Sequence, residues 1–157
     1  MGFAVFFFAA WLILAVFSVI ERKLPLLENT FIYLVMLIIN INWTWIIYEE
    51  LKFIERTNEP ISYTAFILYR SIIIPMILVT QLNLFYSSKN IMKSSMVVLG
   101  SIATWLLLSI LSRHFNISNY SRWNMGYDIL YILVLHGLTY YFHKFFQRFT
   151  NNEVKYS

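Results

Sequence analysis

Five long apolar runs, separated by short polar segments, constrain the fold of this chain more than any other feature. They cover residues 3–20, 30–48, 61–85, 94–112 and 126–146. A helix needs about 20 apolar residues to cross the roughly 30 Å hydrocarbon core of a bilayer. Backbone polar groups in lipid must be satisfied within the segment, so runs of this length form helices there. The sequence therefore predicts an all-α integral membrane protein, a bundle of about five transmembrane helices with short loops.

Composition favours the same surroundings. Hydrophobic residues make up 59% of the chain and charged residues 13%, with a mean hydropathy of +0.63. A soluble domain typically has about 25% charged residues, so this chain has too little polar surface to face water on all sides. Five spans in 157 residues leave no length for a separate soluble domain. We predict one membrane domain over residues 1–157, surrounded by the lipid bilayer.

Charge, cysteine content and motifs exclude several classes of function. The formal charge is +4, but Lys and Arg stand singly or in pairs between apolar runs. That pattern predicts contacts with lipid headgroups and no nucleic-acid binding. The absence of cysteine excludes disulfides, thiolate metal sites and a cysteine nucleophile. Because the sequence also contains no nucleophile elbow, phosphate-binding glycine loop or His-Glu-x-x-His motif, we predict no enzyme activity, catalytic residue, metal or cofactor.

The distribution of Lys and Arg predicts an orientation. The first run has no positive segment before it and no small-x-small cleavage pattern after it, so we predict a span rather than a signal peptide. With five spans, one side collects Arg22, Lys23, Lys89, Lys93, Lys144, Arg148 and Lys155, and the other collects Lys52, Arg56, Arg113 and Arg122. Cytoplasmic loops carry the excess of positive residues. We therefore expect a multi-pass protein of the cell membrane, with the N-terminus outside and residues 147–157 as a polar cytoplasmic tail.

Arg70 is a charged residue deep within the third apolar run. It lies nine residues after Ile61, which is about 13 Å at roughly 1.5 Å per residue. A charge at that depth is costly unless it is paired, hydrated or able to reach the headgroups. Three interpretations follow: a structural ion pair or hydrogen-bond network, a site for a substrate or ion, or a snorkelling side chain if the apolar span starts at Ala65.

Helical spacing indicates candidate partners for Arg70. Asp128 enters the membrane from the same outer side, and we expect it to be the counter-ion. Asn40 and Asn42 face nearly opposite ways at 100° per residue, so only one of them is expected to reach Arg70. Gln81 falls on the same predicted face of the third helix, which would give that helix a polar stripe. Together these residues form a candidate intramembrane polar network.

Pro75 and His136 complete the unusual residues of the spans. Pro75 has no amide hydrogen for the Ser71 carbonyl, so we expect a kink and a candidate hinge one turn from Arg70. His136 lies near the middle of the fifth run and joins the candidate network. No second histidine stands four residues away from it, so we interpret His136 as a packed, hydrogen-bonded residue rather than a metal ligand.

The fourth run carries small residues that suit close helix packing. Gly100, Ala103 and Thr104 form a face on which a neighbouring helix could approach closely. The leading hypothesis is an accessory, interaction or regulatory subunit of a membrane assembly, with another membrane protein or a second copy as its partner. The alternative is a transporter or channel for a small anion or proton that uses Arg70 as its intramembrane charged site.

Overall fold

The computed structural model describes residues 1–88 and 90–153, except for the side chains of residues 151–153. Its helices are α1 (Gly2–Val19), α2 (Leu26–Trp45), α3 (Pro60–Leu68), α4 (Ile74–Ser87), α5 (Ile91–His114) and α6 (Met125–Glu153). A first π-turn (Ile46–Glu50) extends α2, and a second π-turn (Tyr69–Ile73) joins α3 to α4. Two short strands, β1 (Ile54–Arg56) and β2 (Ser118–Tyr120), pair antiparallel. Apart from this ladder and the connecting loops the described chain is helical, which confirms the all-α prediction.

Four helical segments of the described chain are long and apolar enough to cross a membrane. They are Gly2–Val19, Leu26–Glu50, Pro60–Ser87 and Ile91–His114, and they contain or overlap the first four predicted runs. The fifth predicted run, 126–146, lies within α6, which is long enough at 29 residues but is less apolar than these four segments. Large apolar side chains such as Phe7, Phe8 and Trp11 are exposed on α1. These features suggest a membrane protein.

The C-terminal segment differs from the expected polar tail. Helix α6 continues through residues 147–153, while residues 154–157 lie outside the described residues. Lys89 and Lys155, which contributed to the predicted orientation, also lie outside them.

Helix α4 is the centre of the bundle. It packs against α1, α2, α5 and α6, and every residue from Ile74 to Asn83 is buried. Because this helix is surrounded, its polar residues must find partners among neighbouring helices rather than in solvent. The polar contacts of the α3–α4 segment therefore decide how the bundle is assembled.

The strand ladder closes one end of the bundle. Asn116 adopts a left-handed conformation with φ of 52°, and the amide of Ile117 donates to the carbonyl of Ser112 at 2.9 Å. This arrangement is a helix-ending motif in which asparagine tolerates the left-handed position. It turns the chain from α5 into β2, which pairs with β1 by placing Glu55 opposite Asn119. The ladder thereby holds the loop before α6 over the ends of α2 and α5.

Candidate functional site

Pro75 shapes the backbone around Arg70. Because proline has no amide hydrogen, the Ser71 carbonyl loses its usual helical donor. In the second π-turn the amide of Ile74 bonds to the Tyr69 carbonyl and so passes over the carbonyl of Arg70. The predicted kink is therefore a π-turn, a feature that often occurs at functional sites. The carbonyl oxygens of Arg70 and Ser71 therefore both need hydrogen-bond donors from outside their own helix.

Helix α2 supplies both donors. The Asn40 amide donates to the Arg70 carbonyl at 2.5 Å, and the Tyr33 hydroxyl donates to the Ser71 carbonyl at 3.0 Å. Asn40 and Tyr33 are seven residues apart and so lie on one face of α2. The Tyr131 hydroxyl donates in turn to Asn40 Oδ1 at 2.5 Å, which joins α6 to the same network.

The two asparagines of α2 have different roles. Asn40 is fully buried and reaches Arg70 through the backbone rather than through the guanidinium. Asn42 lies on the surface of the helix and donates to the Ile38 carbonyl of its own helix at 2.8 Å.

The Arg70 side chain has no protein counter-ion in the part of the chain that the structure describes. Its guanidinium carbon lies 5.2 Å from the centre of the Phe66 ring, which is a cation–π contact. Its buried Nε has no hydrogen-bond partner, and none of the ion pairs in the described chain involves it. The expected ion pair with Asp128 is therefore not formed. The structure corrects that prediction, because Asp128 is held by other donors.

Asp128 lies buried in the first turn of α6. Its carboxylate accepts hydrogen bonds from Ser109 at 2.8 Å, from the Trp123 indole at 2.8 Å, and from Tyr120. The positive end of the helix dipole adds to the stabilisation of a negative charge at this position. Three hydrogen-bond donors and the helix N-terminus thus stabilise the Asp128 carboxylate in place of the expected Arg70 guanidinium.

Tyr120 remains a hydrogen-bond donor to this carboxylate. Burial and the hydrogen bond to Asp128 both raise the pKa of the Tyr120 hydroxyl above its ordinary value. Because β2 fixes the position of Tyr120, the ladder orders one donor of the Asp128 site directly.

Arg70 and Asp128 both line a small cavity of about 40 Å³, a volume suited to groups the size of a water molecule. Half of its lining residues are aromatic; they are Trp43, Tyr48, Phe66, Tyr69, Trp105, Tyr120, Trp123 and Tyr131. The cavity lies where α2, α3, α5 and α6 meet the strand ladder. The two charged residues therefore share a chamber without touching.

A wider groove of about 490 Å³ lies on the other side of Arg70. It is formed by the end of α2, the first π-turn and α3, and it is lined by Ile41, Asn42, Thr44, Trp45, Tyr48, Glu49, Arg56, Tyr63, Phe66 and Arg70. Arg56 bonds to Glu49 at 2.8 Å, and its guanidinium carbon lies 4.9 Å from the centre of the Tyr63 ring. We call this space the Arg70 groove. Arg70 lines both the groove and the small cavity.

Gln81 and His136 lie apart from Arg70. The predicted polar stripe assumed a regular helix, but the π-turn adds one residue to a turn and shifts the later residues by about 100°. Gln81 is buried beneath α1 and α5 rather than beside Arg70. His136 Nε2 lies 2.6 Å from Ser101 Oγ, and its Nδ1 lies 2.8 Å from the Ile132 carbonyl, so it links α5 to α6.

The small-residue face of α5 borders a third space, of about 380 Å³, between α1, α4 and α5. Gly100 and Thr104 line it, and a Cβ built at Gly100 would have no neighbour within 4 Å. The floor is α4, where the Thr80 hydroxyl is buried beside Gln81 and has no hydrogen-bond partner among the described residues. Ala103 next to this face is exposed. We call this space the α5 groove.

A second polar cluster at the opposite end of the bundle was missed from the sequence. His143 is 1% exposed; its Nε2 lies 2.8 Å from a carboxylate oxygen of Glu28, and its Nδ1 lies 3.1 Å from the Tyr86 hydroxyl. Glu28 falls just before the second predicted run, and His143 lies near the end of the fifth. Their equal depth in the predicted topology was the signal that could have paired them.

Asn83 fixes the connection between α1 and α2 beside this cluster. Its fully buried side chain accepts hydrogen bonds from the amides of Lys23 and Leu24, both at 3.2 Å. It also donates to Asn29 at 2.6 Å. The arrangement satisfies backbone groups of a tight connection, which indicates a structural role.

Comparison with models of protein families, with curated proteins and with solved structures finds no match for this chain. The functional argument therefore depends on the geometry of these sites.

Proposed function

We propose that this chain is a multi-pass protein of the cell membrane that acts as an accessory subunit by binding a helix of another membrane protein. In this proposal α6 is the fifth span, the N-terminus lies outside, and the C-terminus lies in the cytoplasm. The excess of Lys and Arg on the side of the α1–α2 connection supports that orientation.

The observation that carries the proposal is the unpartnered Thr80 hydroxyl on the floor of the α5 groove. A threonine in a helix commonly bonds the carbonyl four residues earlier, as Thr104 does with Gly100 at 2.8 Å. Thr80 does not make this bond, although it is buried. A buried hydroxyl without a partner is destabilising, so a polar atom supplied from outside the chain would stabilise it.

A protein helix fits the α5 groove better than a lipid chain does. Acyl chains offer no hydrogen-bonding atom for Thr80 or for the neighbouring Gln81 amide. A helix that carries Ser, Thr, Asn or Gln offers one, and small residues such as Gly100 allow its backbone to approach closely.

The concave shape of the α5 groove favours a different protein over a second copy. A symmetric dimer places the same surface patch of both copies in contact. Two grooves placed face to face would leave the buried floor at Thr80 uncontacted. We therefore propose one convex helix of another membrane protein as the occupant.

Site-specific crosslinking in native membranes tests this proposal. A photo-crosslinking residue at the exposed Ala103 position should give one discrete adduct with a membrane protein. The variant Gly100→Leu should abolish the adduct, because the leucine side chain would fill the groove while the open space around Gly100 spares the fold. Mass spectrometry of the adduct identifies the helix that carries the crosslink.

Gly137→Leu is the matched control. Gly137 lies on α6, and a Cβ there also has no neighbour within 4 Å, so the substitution is sterically equivalent but lies outside the groove. It should leave the adduct unchanged. A lone monomer without any adduct, or an adduct equally sensitive to both variants, contradicts the proposal. An adduct with twice the mass of the chain would show that the partner is a second copy of this protein, which also contradicts the proposal of a different protein.

Transport of a small anion or proton past Arg70 is a second candidate function. It is favoured by the position of Arg70, which lines both the small cavity and the Arg70 groove. In proteoliposomes Arg70→Gln should abolish flux while leaving the fold intact, and Arg22→Gln, which removes an exposed charge at the other end of the bundle, should not. Flux that persists in Arg70→Gln, or no flux from the unmodified protein, contradicts this function.

A further inference from the structure

The Arg70 groove is rich in hydrogen-bond donors. Side chains that bear donors line it on both sides: Arg70, Arg56 and Tyr63 from the segment leading into and along α3, and Asn42 and Trp45 from α2. The one carboxylate among its lining residues is that of Glu49, which already bonds to Arg56. Arg56 and Glu49 cancel each other's charge, so Arg70 leaves the groove with one net positive charge.

The guanidinium of Arg70 is positioned for an oxyanion. Its guanidinium carbon lies 5.2 Å from the centre of the Phe66 ring, and its buried Nε has no acceptor among the residues that the structure describes. A planar guanidinium presents parallel N–H donors that match two oxygens of a phosphate or carboxylate. An anion is the group that would satisfy both the charge and the unpaired donor.

The groove lies at a depth that headgroups can reach. Arg70 follows the start of α3 at Pro60 by ten residues, or about 15 Å. The first turns of α3 contain Ser62, Tyr63 and Thr64, which suit the interface rather than the hydrocarbon core. A long arginine side chain extends its charged end toward that interface. The Glu49–Arg56 pair lies at the mouth of the same groove.

We infer that the Arg70 groove binds a phosphate group, carried by an anionic lipid headgroup or present as free phosphate, with Arg70 as its main ligand. Arg56 and the Tyr63 hydroxyl are additional donors at the mouth of the groove. This inference deepens the second candidate function by naming the class of anion. Only the movement of the anion rests on the transport function; its binding does not, because binding and flux are measured in separate experiments.

Thermal unfolding of the purified full chain in a zwitterionic detergent tests the inference. The probes are dihexanoyl phosphatidylglycerol, inorganic phosphate, and dihexanoyl phosphatidylcholine as the zwitterionic reference. Phosphatidylglycerol should raise the Tm of the unmodified protein in a saturable manner, and phosphatidylcholine should not. Arg70→Gln should weaken the apparent affinity for phosphatidylglycerol at least about tenfold, as expected for loss of a charge-assisted hydrogen bond.

Two further variants keep the result interpretable. Arg22→Gln removes one exposed positive charge at the other end of the bundle and should retain full affinity. Arg70→Lys keeps the charge but loses the planar group, so it should bind with intermediate affinity. If Arg70→Gln fails to fold, the comparison between Arg70→Lys and the unmodified protein decides the matter.

Each outcome bears on the inference. An Arg70-dependent response to phosphatidylglycerol alone supports a lipid headgroup, and an equal Arg70-dependent response to inorganic phosphate supports free phosphate. No saturable response, the same response to phosphatidylcholine, or undiminished affinity in both Arg70 variants overturns it. Arg70-dependent binding without flux in proteoliposomes upholds the binding site and removes the transport function.

Discussion

The amide group of Asn40 hydrogen-bonds to the backbone carbonyl of Arg70, with 2.5 Å between the nitrogen and oxygen atoms. This contact connects α2 to the second π-turn at a carbonyl that the π-turn leaves without a helical donor. The same asparagine accepts a hydrogen bond from Tyr131, so one side chain joins three helical segments. Removing this side chain should therefore lower the free energy of unfolding by more than the loss of one hydrogen bond would.

We expect Asn40→Leu to lower the free energy of unfolding by about 2 kcal/mol, because it leaves the Arg70 carbonyl and the Tyr131 hydroxyl buried without partners. Denaturant titration in mixed micelles measures this change. Asn42→Leu is the matched control, because Asn42 is exposed and bonds only within its own helix. Equal effects of the two substitutions would show that Asn40 does not have this connecting role.

Tyr33 and Pro75 should be energetically coupled. The Tyr33 hydroxyl satisfies the Ser71 carbonyl, which lacks a helical donor because residue 75 is proline. Tyr33→Phe should destabilise the unmodified protein by about 1 kcal/mol. In the Pro75→Ala background, the new amide of residue 75 can bond to Ser71, so Tyr33→Phe should have a smaller effect. A double-mutant cycle on unfolding free energies measures this coupling, and strict additivity would contradict it.

Asp128→Asn should destabilise the fold even though it removes a buried charge. The carboxylate accepts bonds from three donors, whereas an asparagine amide nitrogen would face at least one of those donors with another donor. We expect a loss of about 1–3 kcal/mol in unfolding free energy. Glu50→Gln, which neutralises an exposed carboxylate, is the control and should change stability by less than about 0.5 kcal/mol. A stabilising effect of Asp128→Asn would instead indicate that the charge is incompletely compensated.

The Tyr120 hydroxyl predicts a loss of stability in alkali. Its pKa in the folded protein is raised above the ordinary value of 10.0, first by burial and then by the hydrogen bond to Asp128. Below pH 10 the hydroxyl is protonated in both states, so its contribution does not change with pH. Above pH 10 the unfolded state releases this proton more readily, and the free energy of unfolding falls as pH rises toward the folded pKa. Tyr120→Phe should reduce the slope of unfolding free energy against pH in that range, and an unchanged slope would contradict the assignment.

The Glu28–His143 pair should stabilise the end of the bundle opposite to Asp128. His143→Leu removes the partner of a largely buried carboxylate, so we expect a loss of about 1–3 kcal/mol. The double variant Glu28→Leu/His143→Leu should recover part of that stability, because it leaves neither polar group buried without its partner. His114→Leu is the control at an exposed histidine. The midpoint of thermal unfolding distinguishes these variants, and a double variant less stable than His143→Leu alone would oppose this explanation.

The all-α class and the approximate positions of four long apolar helices could be predicted from the sequence, because hydrophobic run length is a local property. The ends were less accurate. Helix α6 continues past residue 146, and the first π-turn extends α2 to Glu50, because helices do not end where hydropathy falls. The sequence also identified Pro75 as the irregular point of the third helix, since the missing amide hydrogen is a property of one residue.

The sequence by itself determined an all-α chain with long apolar helices, a small-residue face at Gly100, and a charged Arg70 that needs an explanation. Only the tertiary structure decided what these residues contact. The π-turn shifted Gln81 away from Arg70, and the ladder with the loop after it brought Tyr120 and Trp123 to Asp128. Arg70 lines a groove and has no counter-ion in the described part of the chain. Such pairings depend on helix rotation and depth across distant segments, and local periodicity specifies neither.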